Sequence, residues 1–329
     1  MVELVCPGGT PAGLRAAVDG GADVVYAGFA DATNARNFPG LNFSPAEMAD
    51  GIAYAHARGA KVYIAINTFP KAGEPEPWRR AVDGAAALGA DAVILADIGL
   101  LDYAATAHPA LRRHLSVQAS ASNLEAIRLY RDRFGVSRVV LPRVLTVAEI
   151  AEITAACGVE TEVFAFGGMC VMAEGRCSLS SYATGQSPNM NGVCSPASHV
   201  RYERRGDTLV SQLGGFTINA FPAGEPAGYP TLCKGRFQSS GRASYLFEDP
   251  ISLDTLTLLP ELVRAGISGL KIEGRQRGRA YVASVVATYR QALDAVLAGG
   301  RPGNQEREAL ADLAEGGRGT TGAYSRGWR

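Results

Sequence analysis

One pattern recurs over the first half of the chain. A short apolar run is followed by a helical stretch, then Gly-Ala or Gly-Val, and the cycle begins again. The runs at 4–6, 23–29, 61–66, 92–96, 115–119, 138–141 and 162–166 predict seven strands. The stretches at 11–20, 45–58, 78–88, 98–107, 124–134 and 147–156 predict the helices between them. The strands are continuous apolar runs, the mark of strands buried on both faces. Strands alternating with helices of ten or more residues indicate parallel βαβ units. An eighth unit follows a long interruption, with a strand at 269–272 and a helix at 280–298. Eight units predict an α/β fold, a closed (β/α)8 TIM-like barrel with a cysteine-bearing insertion between units seven and eight. The rival is an open doubly wound sheet. Its fingerprint G-x-G-x-x-G is missing after the first strand, where the chain reads C-P-G-G-T-P.

This divides the chain into barrel units one to seven (1–166), an irregular cysteine-bearing subdomain (167–250), barrel unit eight (251–300) and a tail (301–329). Short strands are expected at 208–213 and 215–219, and the tail is expected to dock through Tyr324 and Trp328. Composition changes this picture little. Hydrophobic residues make up 47% of the chain, enough for a large core, and 32 basic residues balance 32 acidic ones. That balance argues against a surface built to hold nucleic acid, while leaving room for a local basic mouth. The N-terminus shows no secretory signal, and no run approaches the roughly 20 apolar residues of a membrane span. A cytoplasmic protein is expected, in which the six cysteines are reduced, metal-bound or catalytic.

Barrel active sites collect at the carboxyl ends of the strands. The polar residues just past those ends are Asn34, Arg36, Asn67, Asp97, Gln118, Ser120, Asn123, Arg143, Glu174, Arg176, Glu273 and Arg275. Arg36, Arg143, Arg176, Lys271 and Arg275, gathered at one mouth, would bind a carboxylate-bearing small molecule, since guanidinium forks match carboxylates. Asn34, Asn67, Gln118 and Glu273 complete that expected substrate set. Asp97, Glu174 and Arg176 are the candidates for acid–base work. Asp97 has a second reading as the cap of the helix that begins at Ile98. Lys271 reads as an inward ion pair with Glu273 or its neighbours, or as a Schiff-base lysine. The four histidines are scattered, and no nucleophile elbow is present.

Four cysteines, Cys170, Cys177, Cys194 and Cys233, are separated by six, sixteen and thirty-eight residues. Their neighbours are polar and turn-rich, as in loops wrapped around something. Three readings stand: a four-thiolate iron–sulfur cluster, a tetrahedral zinc, or free thiols. The C-x2–4-C pairs usual for structural zinc are missing. Cations beside the thiols, Arg176, Lys234 and Arg236, would offset the charge of four thiolates. Cys6 and Cys157 read as core residues.

The segment E-V-F-A-F-G-G-M-C-V-M-A-E-G-R-C-S-L-S resembles the signature of the peptidase U32 family, with Gly168 where Ser or Ala is usual. N-A-R-N-F-P-G-L-N-F, I-A-I-N-T-F, S-V-Q-A-S-A-S-N, V-V-L-P-R-V-L, S-P-N-M-N-G-V-C-S-P-A, G-Y-P-T-L-C-K-G-R, L-K-I-E-G-R-Q-R and T-T-G-A-Y extend the likeness. They are similar to the branch of that family that acts in ubiquinone biosynthesis. The resemblance implies a [4Fe–4S] cluster on Cys170, Cys177, Cys194 and Cys233. It implies a heterodimer with a homologous UbiV-like subunit and hydroxylation of the ubiquinone precursor ring without dioxygen, with prephenate as oxygen donor. A lipid-carrier accessory protein is expected to deliver the substrate, and no nucleic acid is expected. The rivals are an RNA-base hydroxylase of the same family, a protease, and a non-catalytic cluster-binding subunit.

Overall fold

The protein is described from a computed structural model, which covers residues 2–170, 177–225 and 227–326. Seven parallel strands follow in order: β1 (Glu3–Pro7), β2 (Val24–Ala27), β3 (Lys61–Ile66), β4 (Ala92–Leu95), β5 (Arg112–Leu115), β6 (Val136–Val140) and β7 (Glu160–Gly168). Helices α1 (Pro11–Asp19), α2 (Pro45–His56), α3 (Glu76–Ala87), α4 (Ile98–Ala107), α5 (Leu124–Phe134) and α6 (Val147–Ala156) connect them. The irregular region holds α7 (Ser178–Thr184), α8 (Pro188–Asn191), a three-stranded antiparallel sheet of β8 (Val200–Arg205), β9 (Thr208–Leu213) and β10 (Phe216–Phe221), and a hairpin of β11 (Arg236–Ser239) and β12 (Arg242–Tyr245). The chain then forms β13 (Ser252–Asp254), α9 (Leu259–Arg264), β14 (Gly269–Ile272), α10 (Arg279–Leu297), α11 (Asn304–Ala311) and β15 (Gly319–Thr320). β14 pairs in parallel with both β1 and β7, which closes an eight-stranded barrel. No helix among the described residues is long and apolar enough to cross a membrane.

The helices form where local chemistry starts them. Ser44 with Glu47 and Thr146 with Glu149 make capping boxes at α2 and α6, and Thr10 caps α1. A main core of buried aliphatic residues lies between the barrel wall and its helices. The barrel interior is different. Val5, Val24, Tyr26, Tyr63, Ala65, Ala92 and Ile94 fill part of it. Beside them runs a buried ionic column. Arg138, 2% exposed, holds Glu3 at 2.5 Å, Glu160 at 2.7 Å and Glu162 at 3.2 Å. Lys271 holds Glu162 at 2.7 Å and sits 3.8 Å from the Tyr26 ring centroid. Lys271 therefore makes the inward ion pair, with Glu162 as partner rather than Glu273, because Glu162 lies on the neighbouring strand, two residues from the position opposite Lys271 and on the same face.

β5 corrects the strand expected at 115–119. It ends at Leu115, and Val117–Ala119 is a turn capped by Ser116, whose Oγ accepts from the Gln118 N–H at 3.3 Å. Past Phe166, β7 runs beyond the closing strand and takes β13 on its flank, which in turn takes β15. The chain between β7 and β13 therefore emerges at the carboxyl face of the barrel and returns to it.

Candidate functional site at the barrel mouth

The mouth is built by the loops after β2, β6, β7 and β14. Glu273 is the first residue past β14 and is 8% exposed. One of its oxygens lies 3.5 Å from Arg36 Nη2, and the other accepts from the Gly168 N–H at 3.2 Å. Burial acts to raise its pKa, but the charges of Arg36 and Arg143, the Gly168 N–H and Arg277 hold it below the usual carboxylate range. Arg275 is 4% exposed and donates to Asn34 Oδ1 at 3.2 Å. Burial pushes its pKa down to about 10, which leaves it cationic at neutral pH. The Arg143 guanidinium lies 3.5 Å from the Phe164 ring centroid. Arg36, Arg143 and Arg275 thus converge on the surroundings of Glu273.

Glycines make this closeness possible. A side chain at Gly9 would overlap the Arg275 carbonyl oxygen, and one at Gly28 would strike Arg275 and Asn34. Gly167 has φ +125°, and a Cβ there would stand 2.6 Å from the Glu273 carbonyl oxygen. Gly168 is permissive by contrast: a Cβ would meet nothing closer than 3.5 Å.

The thiols stand beside this mouth. Gly192 O accepts from the Asn37 N–H at 3.3 Å, which docks the Cys194 loop on the loop carrying Asn34 and Arg36. Ser180 Oγ donates to the Cys194 carbonyl at 2.6 Å, and Ser181 Oγ to that of Cys177 at 3.1 Å. Burial pushes the Cys194 thiol up, with Arg36 opposing and the charges of Cys177 and Cys170 adding. Burial pushes Cys233 up to about 11, with Cys170 and Cys194 again within electrostatic reach. Cys194 is thus within electrostatic reach of the other three thiols, Cys170 also of Cys233, and Arg36 of both Cys170 and Cys194. Among the described residues, no three His, Cys, Asp or Glu side chains form a group that could hold one metal ion. Cys6 and Cys157 are fully buried, away from this set.

A tail residue ties the thiol loops to the barrel. Glu315 pairs with Lys234, the neighbour of Cys233, and with Arg277 at 2.8 Å. Its N–H donates to Ser252 Oγ at 2.9 Å. Further on, Tyr324 is buried and its hydroxyl donates to the Phe164 carbonyl at 3.0 Å. Trp328, also expected to dock the tail, lies outside the described residues.

The remaining candidates divide. Asn34 and Asn67 are structural posts of the mouth: Asn34 Nδ2 donates to the Phe29 carbonyl at 2.5 Å, and Asn67 Oδ1 accepts from the Ala35 N–H at 3.0 Å. Gln118 Oε1 is buried and accepts no hydrogen bond. Asp97 is the cap of α4, accepting from the Leu100 N–H at 2.9 Å, so its carboxylate serves the helix rather than acid–base work. Asn123 likewise caps α5, at 2.8 Å from the Ala126 nitrogen. Glu174 and Arg176 lie outside the described residues. Sequence reasoning missed Lys234, Arg277 and Glu315 as a bridge. The G-Y-P-T-L-C-K-G-R and L-K-I-E-G-R-Q-R blocks held two of its members, and nothing in the tail marked the third.

The chain was then compared with known proteins. It is 31% identical to "tRNA hydroxylation protein P1" of Bacillus subtilis (strain 168), over 90% of this chain and 64% of that protein. It is 31% identical to "tRNA hydroxylation protein P" of Escherichia coli (strain K12), over 96% of this chain and 73% of that one. It is 30% identical to the "23S rRNA 5-hydroxycytidine C2501 synthase" of the same organism, over 96% of this chain and 42% of the synthase. The chain spans less than two thirds of the first and third of these relatives. The pattern that defines peptidase family U32 matches residues 9–327, and the chain belongs to that family.

Proposed function

We propose that this chain is the iron–sulfur subunit of a hydroxylase that works without dioxygen. Cys170, Cys177, Cys194 and Cys233 would hold a [4Fe–4S] cluster. One observation carries the proposal: the Cys194 loop docks on the loop that carries Arg36, and Cys194 lies within electrostatic reach of Cys170, Cys177 and Cys233, which come from loops far apart in sequence. The donor set fits the group. Four sulfur ligands suit iron–sulfur chemistry, and Arg36 and Lys234 face the charge they would carry. When bound, such a cluster supplies electron transfer or a Lewis-acidic iron.

The protein's own residues supply binding and orientation. Arg36, Arg143 and Arg275, gathered around Glu273, favour a small dicarboxylate, and prephenate is the oxygen donor we assign to it. Glu273 fixes the Arg36 fork, and Asn34 fixes Arg275. The acceptor we assign is the ring of a ubiquinone precursor, with a homologous UbiV-like subunit as partner and a lipid-carrier protein for delivery. The relatives' names support the hydroxylation chemistry. They also favour a second reading, hydroxylation of an RNA base.

The test is purification without air, followed by iron and sulfide counts and a paramagnetic spectrum. Four irons per chain that fall on Cys→Ala change at any of the four positions support the proposal. Zinc in place of iron, or iron retained without Cys194 or Cys233, overturns it. Hydroxylated ring product carrying label from oxygen-labelled prephenate, formed by the complex with its partner, separates the ubiquinone reading from the RNA one.

A further inference from the structure

A groove of about 860 Å³ adjoins the thiol loops. Tyr245 and Phe247, at the end of β12 and just beyond it, form one wall. Met169, Ile251 and the tail residue Ala323 form the rest. Met169 is the residue before Cys170, and its Cε packs near Gly322. The wall residue Glu248 donates its N–H to the Cys233 carbonyl at 3.1 Å. Groove and thiol loops are therefore one connected structure.

The polarity of the groove is opposite to that of the mouth. Glu248 and Asp249 stand at its edge against one arginine, Arg326, and Asp249 is already paired with Arg318 at 3.1 Å. Among the described lining residues one cation stands against two carboxylates, a balance that does not favour an anionic ligand. Two aromatic rings, a thioether and aliphatic groups instead suit a flat or unsaturated apolar ligand. The volume falls within the range for sites that enclose a sizeable organic molecule.

We infer that the groove binds the uncharged apolar part of the hydroxylated acceptor beside the thiol loops, apart from the anionic reactant at the arginine mouth. This rests on the proposed hydroxylation of a ring that carries an apolar chain. It adds that the two reactants occupy separate subsites and do not compete.

The probes are 2-geranylphenol, a neutral phenol with a ten-carbon unsaturated chain, and malate, a small dicarboxylate. Both are titrated calorimetrically into the full chain without air. Saturable geranylphenol binding is expected, weakened at least tenfold by Ala323→Trp, which fills the groove. Phe247 is 48% exposed, so Phe247→Ala keeps the fold and should weaken the same probe several-fold. Malate binding should survive both changes and fall with Arg275→Gln, which leaves geranylphenol affinity within twofold. Geranylphenol that does not saturate, is indifferent to both groove variants, or is displaced by malate overturns the inference. The readout is binding alone. A groove that binds the phenol in a protein that forms no hydroxylated ring product would refute the ubiquinone reading and leave the groove standing.

Discussion

Replacing Arg138 by methionine tests the ionic column inside the barrel. The guanidinium is almost fully buried, and three carboxylates depend on it. Removing one partner of a buried pair usually costs about 3–5 kcal/mol, because a charge is left without compensation in low dielectric. Here every carboxylate keeps a second cation. Glu162 keeps Lys271 at 2.7 Å, Glu3 keeps Lys61 at 2.7 Å, and Glu160 keeps Arg112 at 2.9 Å. The loss should therefore fall at the low end, about 3 kcal/mol. For a chain of this size that is a fall in Tm of roughly 4 °C. Urea unfolding followed by circular dichroism gives the loss directly. The apolar replacement Arg138→Met with Glu162→Leu and Lys271→Met should recover most of it, since a buried ion network and well-packed apolar groups of similar volume are often near parity.

The same variant carries a pH signature. Burial acts to raise the pKa of Glu3, but hydrogen bonds from Lys61 and Arg138 outweigh it and hold the carboxyl below its ordinary range. A depressed carboxylate stabilises the fold above its unfolded pKa and loses that contribution as pH falls through the folded value. Without Arg138 the loss should begin at a higher pH. A loss under about 1 kcal/mol with an unchanged acid limb would refute the account, because it would mean that these carboxylates are solvated.

At the mouth, Arg36→Gln should weaken malate binding about tenfold, the worth of one charge-assisted hydrogen bond, with Tm almost unmoved; an affinity within twofold of native would remove Arg36 from the anion site. Gly167→Ala should cost about 2–3 kcal/mol in urea unfolding, because φ +125° and the Glu273 carbonyl both exclude a side chain, whereas Gly168→Ala should be nearly neutral. Glu315→Gln should speed alkylation of Cys233 several-fold in metal-free protein, read by peptide mass spectrometry, with Glu315→Asp restoring protection; unchanged Cys233 kinetics would show that the bridge to Lys234 does not order this loop.

The barrel was legible because strands buried on both faces read as unbroken apolar runs. β5 was the exception for the same reason. It carries Arg112 and His114, and His114 lies fully buried, its ring edge-on to Tyr63 at 4.5 Å, so the rule that finds apolar strands passed over it. Arg138 reaches carboxylates 24 and 135 residues away, and no local pattern announces such partners. In the irregular region, β8 was missed because V-R-Y-E-R-R is exposed along its length and shows no buried face. The cysteines were readable as a set from their polar surroundings, but their common neighbourhood follows from loop docking. Gly192 against Asn34 and Glu315 against Lys234 are contacts between segments that spacing cannot join. The caps, Asp97 and Asn123, show the converse: a polar residue past a strand end is also the residue before a helix, and the helix took it.

Charge distribution also decides how the RNA reading should be weighed. The arginines of the mouth lie around Glu273, Arg275 buried and Arg36 and Arg143 partly so, a setting that suits a small anion rather than a backbone track. The most basic exposed strand is β8, with Arg201, Arg204 and Arg205, and Glu203 already takes Arg205 at 2.7 Å. Two arginines on that strand are left to meet phosphates. Each phosphate neutralised on a single strand contributes about 0.7 to the slope of log K against log salt, so this face yields a slope of only about −1.4. An enzyme that holds RNA through six or more phosphates would show about −4 or steeper. Filter binding of a labelled tRNA between 50 and 200 mM salt therefore separates the readings. A shallow slope and weak binding fit an anionic donor at the mouth and a neutral acceptor beside it. A slope near −4 would place the acceptor among nucleic acids and require a phosphate-binding track beyond β8.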